Sequence, residues 1–172
     1  MSEAGGWPGR AAVASDAAAI TRIYNQGIEE GTATFETRPR TEADVRAWLG
    51  LRFPVVVVEA DGEVVAFAST SEYRPRECYA GIAEFSVYVD RARRGRGIGR
   101  VAMNTLIEAA RAAGFWKLVS RVFVENLQSR SLLRDVGFRE VGIYEKHAQL
   151  DGRWRDVVIV ERLIPGNITA ST

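Results

Sequence analysis

The stretch from Glu84 to Arg100 constrains the fold more than any other part of the chain, because it reads as a strand, a glycine-arginine turn and the start of a helix. Glu84 to Val89 holds aromatic and β-branched residues, which suit a pleated strand. From Ile98 apolar residues recur every three or four positions, which predicts one buried face of a helix that is stopped by Gly114. A helix that begins in such a turn presents free backbone N–H groups and the positive end of its dipole, so it can bind a phosphate or a diphosphate.

Three known kinds of phosphate-binding loop differ in the spacing of their glycines and charged residues. The P-loop of nucleotide hydrolases needs a lysine after its glycines, and none follows here. A dinucleotide-binding fingerprint needs G-x-G-x-x-G with an acidic residue about twenty positions on, but residues 95–99 run G-x-G-x-G and residues 115–119 are Phe-Trp-Lys-Leu-Val. The third pattern, [R/Q]-x-x-G-x-[G/A], is met by Arg94, Gly97 and Gly99. Taken alone, the loop leaves open an arginine-rich surface turn or a nucleic-acid patch.

Length, cysteine content and charge narrow the class of protein. The 172 residues predict a single domain over residues 10–164, with a flexible leader at 1–9 and a polar tail at 165–172. One cysteine, Cys78, excludes an internal disulfide, and one histidine, His147, excludes a multi-histidine metal site. A net charge of +1 gives no global attraction to nucleic acid or membrane, and no apolar run is long enough to span a bilayer. We therefore expect a cytoplasmic protein whose local positive charge suits a small anionic ligand.

Hydrophobic patterns predict the element order β-α-α-β-β-β-α-β-α-β-β, which indicates a mixed sheet with helices on both faces. The first strand is expected at Ala11–Val13, and the second helix is expected over residues 41–51. Asp-Gly pairs at residues 61–62 and 151–152 predict two hairpins. Asn126 is expected to cap a short helix.

Together with the glycine loop, this element order resembles the GCN5-related N-acetyltransferases (GNAT) along nearly the whole chain, from about Ala11 to Leu163. The resemblance implies an α/β (α+β) fold with a mixed, mostly antiparallel twisted sheet of about seven strands. Local matches point to the phosphinothricin N-acetyltransferase branch, and they are Tyr24-Asn25, Ala33-Thr34-Phe35, Arg74-x-Arg76-x-x-Tyr79, residues 83–89 and Asp151-Gly152-Arg153-Trp154-x-Asp156-Val157. The run from Tyr73 to Gly81 is closer to the arsinothricin-resistance enzymes of that branch. These enzymes acetylate the α-amino group of glutamate-like amino acids that end in a phosphinate or an arsinate.

The resemblance implies acetyl-CoA as co-substrate and no metal. The pantetheine arm would pair with the strand at Val87, Tyr88 and Val89, where main-chain N–H groups can stabilise an oxyanion. The diphosphate would lie on the turn and the first helical residues, which are Arg94, Gly95, Arg96, Gly97, Ile98, Gly99 and Arg100. Asn126 resembles the family's asparagine that meets the cofactor arm, and a plain N-cap is the alternative.

Glu84 is the candidate general base, because an α-amino group, with a pKa of about 7.7–8.0 in peptides, is mostly protonated near neutral pH. The alternative is a carboxylate paired with an arginine such as Arg74. Arg74 and Arg76 are the candidate anchors of a small anionic amino acid, because guanidinium groups bind carboxylates and phosphinates. Solvated loop arginines are the alternative for this pair. Phe35 and Tyr79 are expected to line the pocket.

One position departs from the family. Leu133 stands where many members carry a tyrosine, and phosphinothricin relatives a histidine, placed to protonate the leaving thiolate. A thiol with a reference pKa of about 8.5 leaves tolerably well without a dedicated acid, so water and Tyr88 remain as proton donors. His147 is interpreted as structural or as part of a subunit contact, and the branch implies a homodimer.

The resemblance thus implies an enzyme that detoxifies an arsinothricin- or phosphinothricin-type amino acid. Two alternatives stay open, namely a protein or peptide N-terminal acetyltransferase and a non-catalytic module that binds acetyl-CoA. A nucleic-acid binder is disfavoured, because the basic cluster is confined to one loop.

Overall fold

The predicted order of elements is confirmed in a computed structural model that describes residues 6–169. The helices are α1 (Ala17–Glu30), α2 (Glu42–Arg46), α3 (Ile98–Ala112) and α4 (Leu127–Asp135). The strands are β1 (Gly9–Ala11), β2 (Val55–Ala60), β3 (Glu63–Glu72), β4 (Ile82–Val89), β5 (Lys117–Phe123), β6 (Arg139–Leu150) and β7 (Arg153–Leu163).

The seven strands within residues 6–169 form one sheet in the order β1-β2-β3-β4-β5-β7-β6. Neighbouring strands are antiparallel except β4 and β5, so the prediction of a mixed, mostly antiparallel sheet is confirmed. The parallel pairing covers only Ile82–Glu84 against Lys117–Val119. Past Glu84, β4 continues along β3 while β5 continues along β7, so the two strands diverge and leave a gap in the middle of the sheet.

Helices cover both faces of this sheet. The larger core lies under α3, where Met103 and Leu106 pack with Phe85 of β4. A second core lies under α1 and α2, where Ile20 and Ile23 pack with other buried residues on the opposite face. Because successive side chains of a strand point to opposite faces, β4 contributes alternate residues to the two cores. This alternation decides which side chains of β4 reach the site described below.

Both predicted Asp-Gly hairpins are confirmed. Asp61 and Gly62 have φ values of 54° and 77°, and Asp151 and Gly152 have φ values of 51° and 74°. Two successive left-handed residues suit a type I′ turn, whose twist matches the flanking strands. The Asn126 cap is confirmed as well, since its side-chain oxygen accepts a hydrogen bond from the Ser129 N–H at 3.2 Å.

The first strand is the element that the sequence places wrongly. It spans Gly9–Ala11 rather than Ala11–Val13, and it pairs with Val56–Val58 of β2. A three-residue edge strand has no hydrophobic alternation to mark it, so only the pairing with β2 fixes its position. Gly9 therefore belongs to the sheet rather than to the predicted leader, and Trp7 packs against the larger core. Residues 1–5 of that leader lie outside the described residues.

The second helix is shorter than expected. Its cap is confirmed, because Thr41 Oγ1 accepts from the Asp44 N–H at 3.2 Å and the Asp44 side chain accepts from the Thr41 N–H at 2.8 Å. The helix ends at Arg46, and from Trp48 the main-chain N–H groups bond three residues back rather than four. Gly50 then turns the chain with a φ of 79°.

The expected polar tail begins with ordered contacts. Pro165–Asn167 form a 3-10 turn, and the Asn167 side-chain amide donates to the carbonyl oxygens of Arg111 at 2.8 Å and Phe115 at 2.7 Å. Residues 170–172 lie outside the described residues. Among residues 6–169, no helix is both long and apolar enough to cross a membrane, and no cluster of three or more side chains is suited to hold a metal ion.

Candidate active site

A cleft of about 230 Å³ lies beside the last residues of β4, between the end of α1 and the starts of α3 and α4. Its walls contain most of the residues predicted to bind the cofactor, which are Val87, Tyr88, Val89, Arg94, Gly95, Gly97, Ile98, Gly99, Arg100 and Asn126. Arg96 is exposed and does not line this cleft. A smaller cavity between β4 and β5 shares Val87 and Asn126 with this cleft, so the glycine loop and the gap in the sheet adjoin each other.

Main-chain groups of β4 face the gap at every second residue. On this side, the Phe85 carbonyl accepts from Ser120 Oγ at 2.9 Å, and the Val89 carbonyl accepts from Arg94 Nε at 3.3 Å. The same alternation directs the N–H and C=O of Val87 into the gap. An extended chain of amides lying there could therefore bond to β4 as a neighbouring strand would.

The glycines of the loop are needed for two different reasons. Gly95 and Gly97 have φ values of 78° and 80°, in the left-handed region that costs an L side chain about 1–2 kcal/mol. Gly97 immediately precedes α3, so the first N–H groups of that helix face the cleft without a partner from the preceding turn. At Gly99 the reason is space, since a Cβ would lie 3.0 Å from Leu132 Cδ2.

Arg94 and Arg100, which line the cleft, are both paired with carboxylates. Arg94 donates through both terminal nitrogens to Glu30, at 2.7 and 3.1 Å, and Arg100 donates to Asp135 at 2.8 Å. Exposed pairs of this kind contribute about 0–1 kcal/mol. A diphosphate in the cleft can therefore compete for these guanidinium groups at little cost.

Asn126 lies at the start of α4 and in the wall of the cleft. Its oxygen caps α4, and its amide nitrogen lies 3.4 Å from the Thr32 carbonyl oxygen across the cleft. The capping role is confirmed, and the contact with the cofactor arm stays a prediction. Leu133 is buried on α4 and offers no proton donor.

Tyr88 stands between the cofactor cleft and a second cavity, and it lines both. Its ring stacks on Phe67 at 5.5 Å and meets Tyr24 edge-on at 5.1 Å. Burial raises the pKa of the Tyr88 phenol well above its usual range. The phenol therefore stays protonated across the physiological range and can act as a donor.

The second cavity, of about 380 Å³, lies on the α1 face of β4. It adjoins a third cavity, of about 480 Å³, and the two share Glu84, Ser120, Arg121 and His147. Of the residues predicted for catalysis and substrate binding, Phe35 lines the first of this pair and Arg74 and Tyr79 line the other. The structure thus brings Glu84, Phe35, Arg74 and Tyr79 to one connected space.

Arg76 is the predicted anchor that this space does not include. It is exposed and lines neither cavity, although Arg74 is only two residues away. Pro75 separates the two arginines, and a 3-10 helix at Glu77–Tyr79 begins directly after Arg76. The anchor role of Arg76 stays a prediction from the resemblance.

The side-chain partner of Glu84 is Arg121, not Arg74. Arg121 Nη2 donates to Glu84 Oε1 at 2.7 Å, and its other terminal nitrogen lies 3.3 Å from His147 Nε2. Sequence reasoning missed Arg121 because its position depends on strand register. Glu84 is paired with Val119, and Arg121, two residues further on, points to the same face.

Comparisons with known proteins agree with this geometry. The model of the family described as "Acetyltransferase (GNAT) family" matches residues 20–138. The chain is 35% identical over 157 residues to the L-methionine sulfoximine/L-methionine sulfone acetyltransferase of Pseudomonas aeruginosa, which covers 88% of this chain and 91% of that protein.

Solved structures give the same result for the fold. A phosphinothricin acetyltransferase from Sinorhizobium meliloti, in complex with acetyl-CoA, is similar with a TM-score of 0.85 and 31% identity, over 92% of this chain and 88% of that one. A ribosomal-protein-alanine N-acetyltransferase from Brucella melitensis is similar with a TM-score of 0.87 and 34% identity, over 91% and 99% of the two chains.

Proposed function

The chain belongs to the acetyltransferase (GNAT) family, and from this membership we propose that it acetylates the α-amino group of a small glutamate-like amino acid of the arsinothricin or phosphinothricin type. It is an acetyl-CoA-dependent N-acetyltransferase. One observation carries the choice of substrate class, namely that Glu84 and two arginines, Arg74 and Arg121, line a connected space that meets the cofactor cleft at Tyr88.

We propose that the cleft between β4 and β5 binds acetyl-CoA. The N–H groups at the start of α3 and the arginines beside them suit the diphosphate. The N–H and C=O of Val87 suit the amides of the pantetheine arm. Asn126, which lines the cleft beside these groups, would meet the same arm. This arrangement would place the thioester near Tyr88.

In the proposed reaction Glu84 accepts a proton from the substrate's ammonium group, directly or through a water. Acetyl-CoA supplies the acetyl group, so a new N–C bond forms as the C–S bond breaks. The N–H of Val87 donates to the carbonyl oxygen as negative charge develops on it. The second proton, which the nitrogen loses as the C–S bond breaks, passes through the phenol of Tyr88, or through a water, to the departing thiolate, since Leu133 offers no donor.

The substrate is proposed to carry an acidic or strongly polar group at the end of its side chain. Relatives are named for methionine sulfoximine, methionine sulfone and phosphinothricin, which share a tetrahedral sulfur or phosphorus centre that carries two oxygens or, in the sulfoximine, one oxygen and one nitrogen. Arg74 lines the larger cavity and can donate to such oxygens. Acetylation removes the positive charge of the amino group, so we propose resistance to a toxic amino acid as the biological role.

A homodimer and a cytoplasmic location belong to the same proposal. Strand β6 lies at the edge of the sheet and exposes Val141, Ile143 and Tyr144, and Trp154 is exposed on the adjoining strand. Exposed apolar side chains along an edge strand are the kind of surface that a second copy can cover. The proposed co-substrate supports a cytoplasmic location.

A second candidate function is acetylation of a protein N-terminus. The solved relative from Brucella melitensis is named for a ribosomal protein, which favours this candidate. A peptide substrate would place an amide where a free amino acid has its α-carboxylate. Charged groups at Arg74 and Arg121 favour the free amino acid, because they would meet no counter-ion on a peptide's first residue.

A thiol-release assay tests the proposal. The purified protein is given acetyl-CoA with L-phosphinothricin, L-arsinothricin, L-methionine sulfone, L-methionine sulfoximine, L-glutamate and peptides that begin with alanine. Mass spectrometry locates the acetyl group on each product. We expect turnover on free amino acids with acetylation at the α-nitrogen. Turnover confined to the peptides would replace the proposal with the second candidate.

A further inference from the structure

We propose that the Glu84–Arg121 ion pair is a receptor for the zwitterionic head of the substrate. In this arrangement the α-carboxylate of the amino acid binds Arg121 and its α-ammonium binds Glu84. The inference rests on the proposed function, and it names α-amino acids with a free carboxylate as the substrate class.

The ion pair between Glu84 and Arg121 lies where a small molecule can reach it. Glu84 and Arg121 meet at 2.7 Å where the pairing of β4 with β5 ends, since Glu84 is the last paired residue of β4 and Arg121 lies two residues past its partner Val119. Both side chains line both cavities, and they are 29% and 48% exposed, so small molecules can reach them. The ammonium and the carboxylate of an α-amino acid are bonded to the same carbon atom. Two adjacent charges on the molecule can therefore meet two adjacent, opposite charges on the protein.

Arg121 also contacts His147. Its Nη1 lies 3.3 Å from His147 Nε2. A guanidinium group can only donate, so this contact is a hydrogen bond when Nε2 carries no proton and accepts. The Tyr144 ring lies against His147 at 5.2 Å between ring centres. Arg121 thus keeps one fixed contact while its other nitrogen exchanges the Glu84 carboxylate for that of the substrate.

The exchange also explains how an ion-paired carboxylate can act as a base. A partly exposed pair contributes little to stability, about 0–1 kcal/mol, so a substrate carboxylate can displace Glu84 from Arg121. Once the cation pairs with the substrate, the Glu84 carboxylate is free to bind the ammonium group and accept its proton. The α-carboxylate would then help to bind the substrate and also release the base that deprotonates it.

Arg74 has a separate task in this arrangement. It lines the larger cavity but not the smaller one, whereas Arg121 lines both. Arg74 is therefore left to bind the oxygens at the end of the substrate's side chain. The two groups of a dianionic amino acid would be divided between an arginine on β5 and one in the connection before β4.

The test compares L-phosphinothricin and L-methionine sulfone with their α-carboxamides, which keep the amine but lack the α-carboxylate. Each is assayed with the unaltered protein and with Arg121→Ala, Arg121→Lys and Arg46→Ala. Arg46 is the matched control, because it also pairs with a glutamate, Glu42 at 2.9 Å, but on the surface of α2.

We expect the unaltered protein to prefer the acids over the amides by about 10- to 100-fold in kcat/KM, the range for one charge-assisted hydrogen bond. Arg121→Ala should lower kcat/KM for the acids by a similar factor and leave the amides nearly unchanged. The KM for acetyl-CoA should not move. Arg121→Lys should retain part of the preference, and Arg46→Ala all of it.

Three other results have distinct meanings. Equal turnover of acids and amides by the unaltered protein would overturn the inference, and this comparison needs no variant to fold. Equal losses on acids and amides in Arg121→Ala would overturn it as well. If the unaltered protein acetylates neither the acids nor the amides, the proposed function fails, and the inference fails with it.

Discussion

The ring of Tyr88 lies directly against the backbone of Gly27, so closely that a Cβ at Gly27 would stand 2.7 Å from Tyr88 Cε1. Real Cβ atoms essentially never come within 3.0 Å of another side-chain carbon in this way. The contact allows α1 to approach β4 at the junction of the cofactor cleft and the substrate cavity. Gly27 therefore fixes the position of the side chain that divides the two spaces.

Gly27→Ala is expected to displace the Tyr88 ring, because the ring is packed between neighbours and cannot move freely. Forcing an extra methyl group into such a site costs about 1–3 kcal/mol. We expect a lower melting temperature and a fall in kcat with either co-substrate saturating. Gly166→Ala is the control, since a Cβ there meets nothing within 4 Å. Equal activities for the two variants would show that Tyr88 is not critically placed.

Glu84→Gln tests the proposed base. The amide keeps the size of the side chain but cannot accept a proton from the ammonium group, so turnover should fall by about two orders of magnitude or more. Binding of acetyl-CoA, measured by calorimetry, should be unchanged. Glu108→Gln on the exposed side of α3, where Glu108 pairs with Arg111, serves as the control. Unchanged turnover at neutral pH would remove Glu84 from the mechanism.

Gly97→Ala tests the diphosphate loop. The left-handed φ of 80° is costly for alanine, so the loop should shift and the N–H groups of α3 should lose their alignment. We expect the KM for acetyl-CoA to rise by about tenfold, with a smaller change in the KM for the amino acid. Gly50→Ala carries the same strain, at a φ of 79°, in a turn far along the chain from the cleft. Gly50→Ala should lower the free energy of unfolding without changing either KM. An equal rise in the KM for acetyl-CoA in Gly50→Ala would point to a general folding defect.

Arg74→Ala and Arg76→Ala separate the two predicted anchors. Arg74 lines the larger cavity and Arg76 lines neither, so the first variant should raise the KM for the amino acid by about tenfold and the second by much less. The KM for acetyl-CoA should stay constant in both. Comparable rises in the two variants would show that Arg76 also reaches the bound substrate.

Much of this site follows from sequence, because local chemistry determines it. The glycine loop, the Asp-Gly hairpins and the caps at Thr41 and Asn126 depend on residues within a few positions of each other. Contacts that depend on strand register do not follow in this way. Arg121 meets Glu84 only because Val119 is the register partner of Glu84, and no pattern in the chain encodes that pairing. The predictions for the end of α2 and for the position of β1 are wrong for a similar reason, because tertiary contacts determine both.

Asp16→Asn tests whether the ion pair between Arg10 and Asp16 stabilises the folded protein. Hydrogen bonds from Arg10, at 2.7 and 2.9 Å, keep the pKa of this buried carboxyl below its usual range, although burial opposes the shift. Because the pKa is lowered on folding, the carboxylate stabilises the folded state at pH values above the pKa of the unfolded state, which is about 3.9. This stabilisation is lost as the pH falls through the pKa of the folded state.

We therefore expect the variant to be less stable by about 1–3 kcal/mol at pH 7 in urea unfolding, with a difference that shrinks below pH 4. A difference that stays constant down to pH 2 would mean that the charge of Asp16 does not matter. Asp44→Asn, at an exposed helix cap, should show a smaller effect.

The proposed reaction requires that the thioester lies in the gap between β4 and β5. The amine must then attack it from the side on which Glu84 lies. A crystal structure with coenzyme A and L-methionine sulfone measures this directly. We predict the diphosphate against residues 95–100, the sulfur near the Val87 N–H and the substrate nitrogen facing the Glu84 carboxylate. Density for the diphosphate away from that loop, or an amine on the opposite face of β4, would contradict the account.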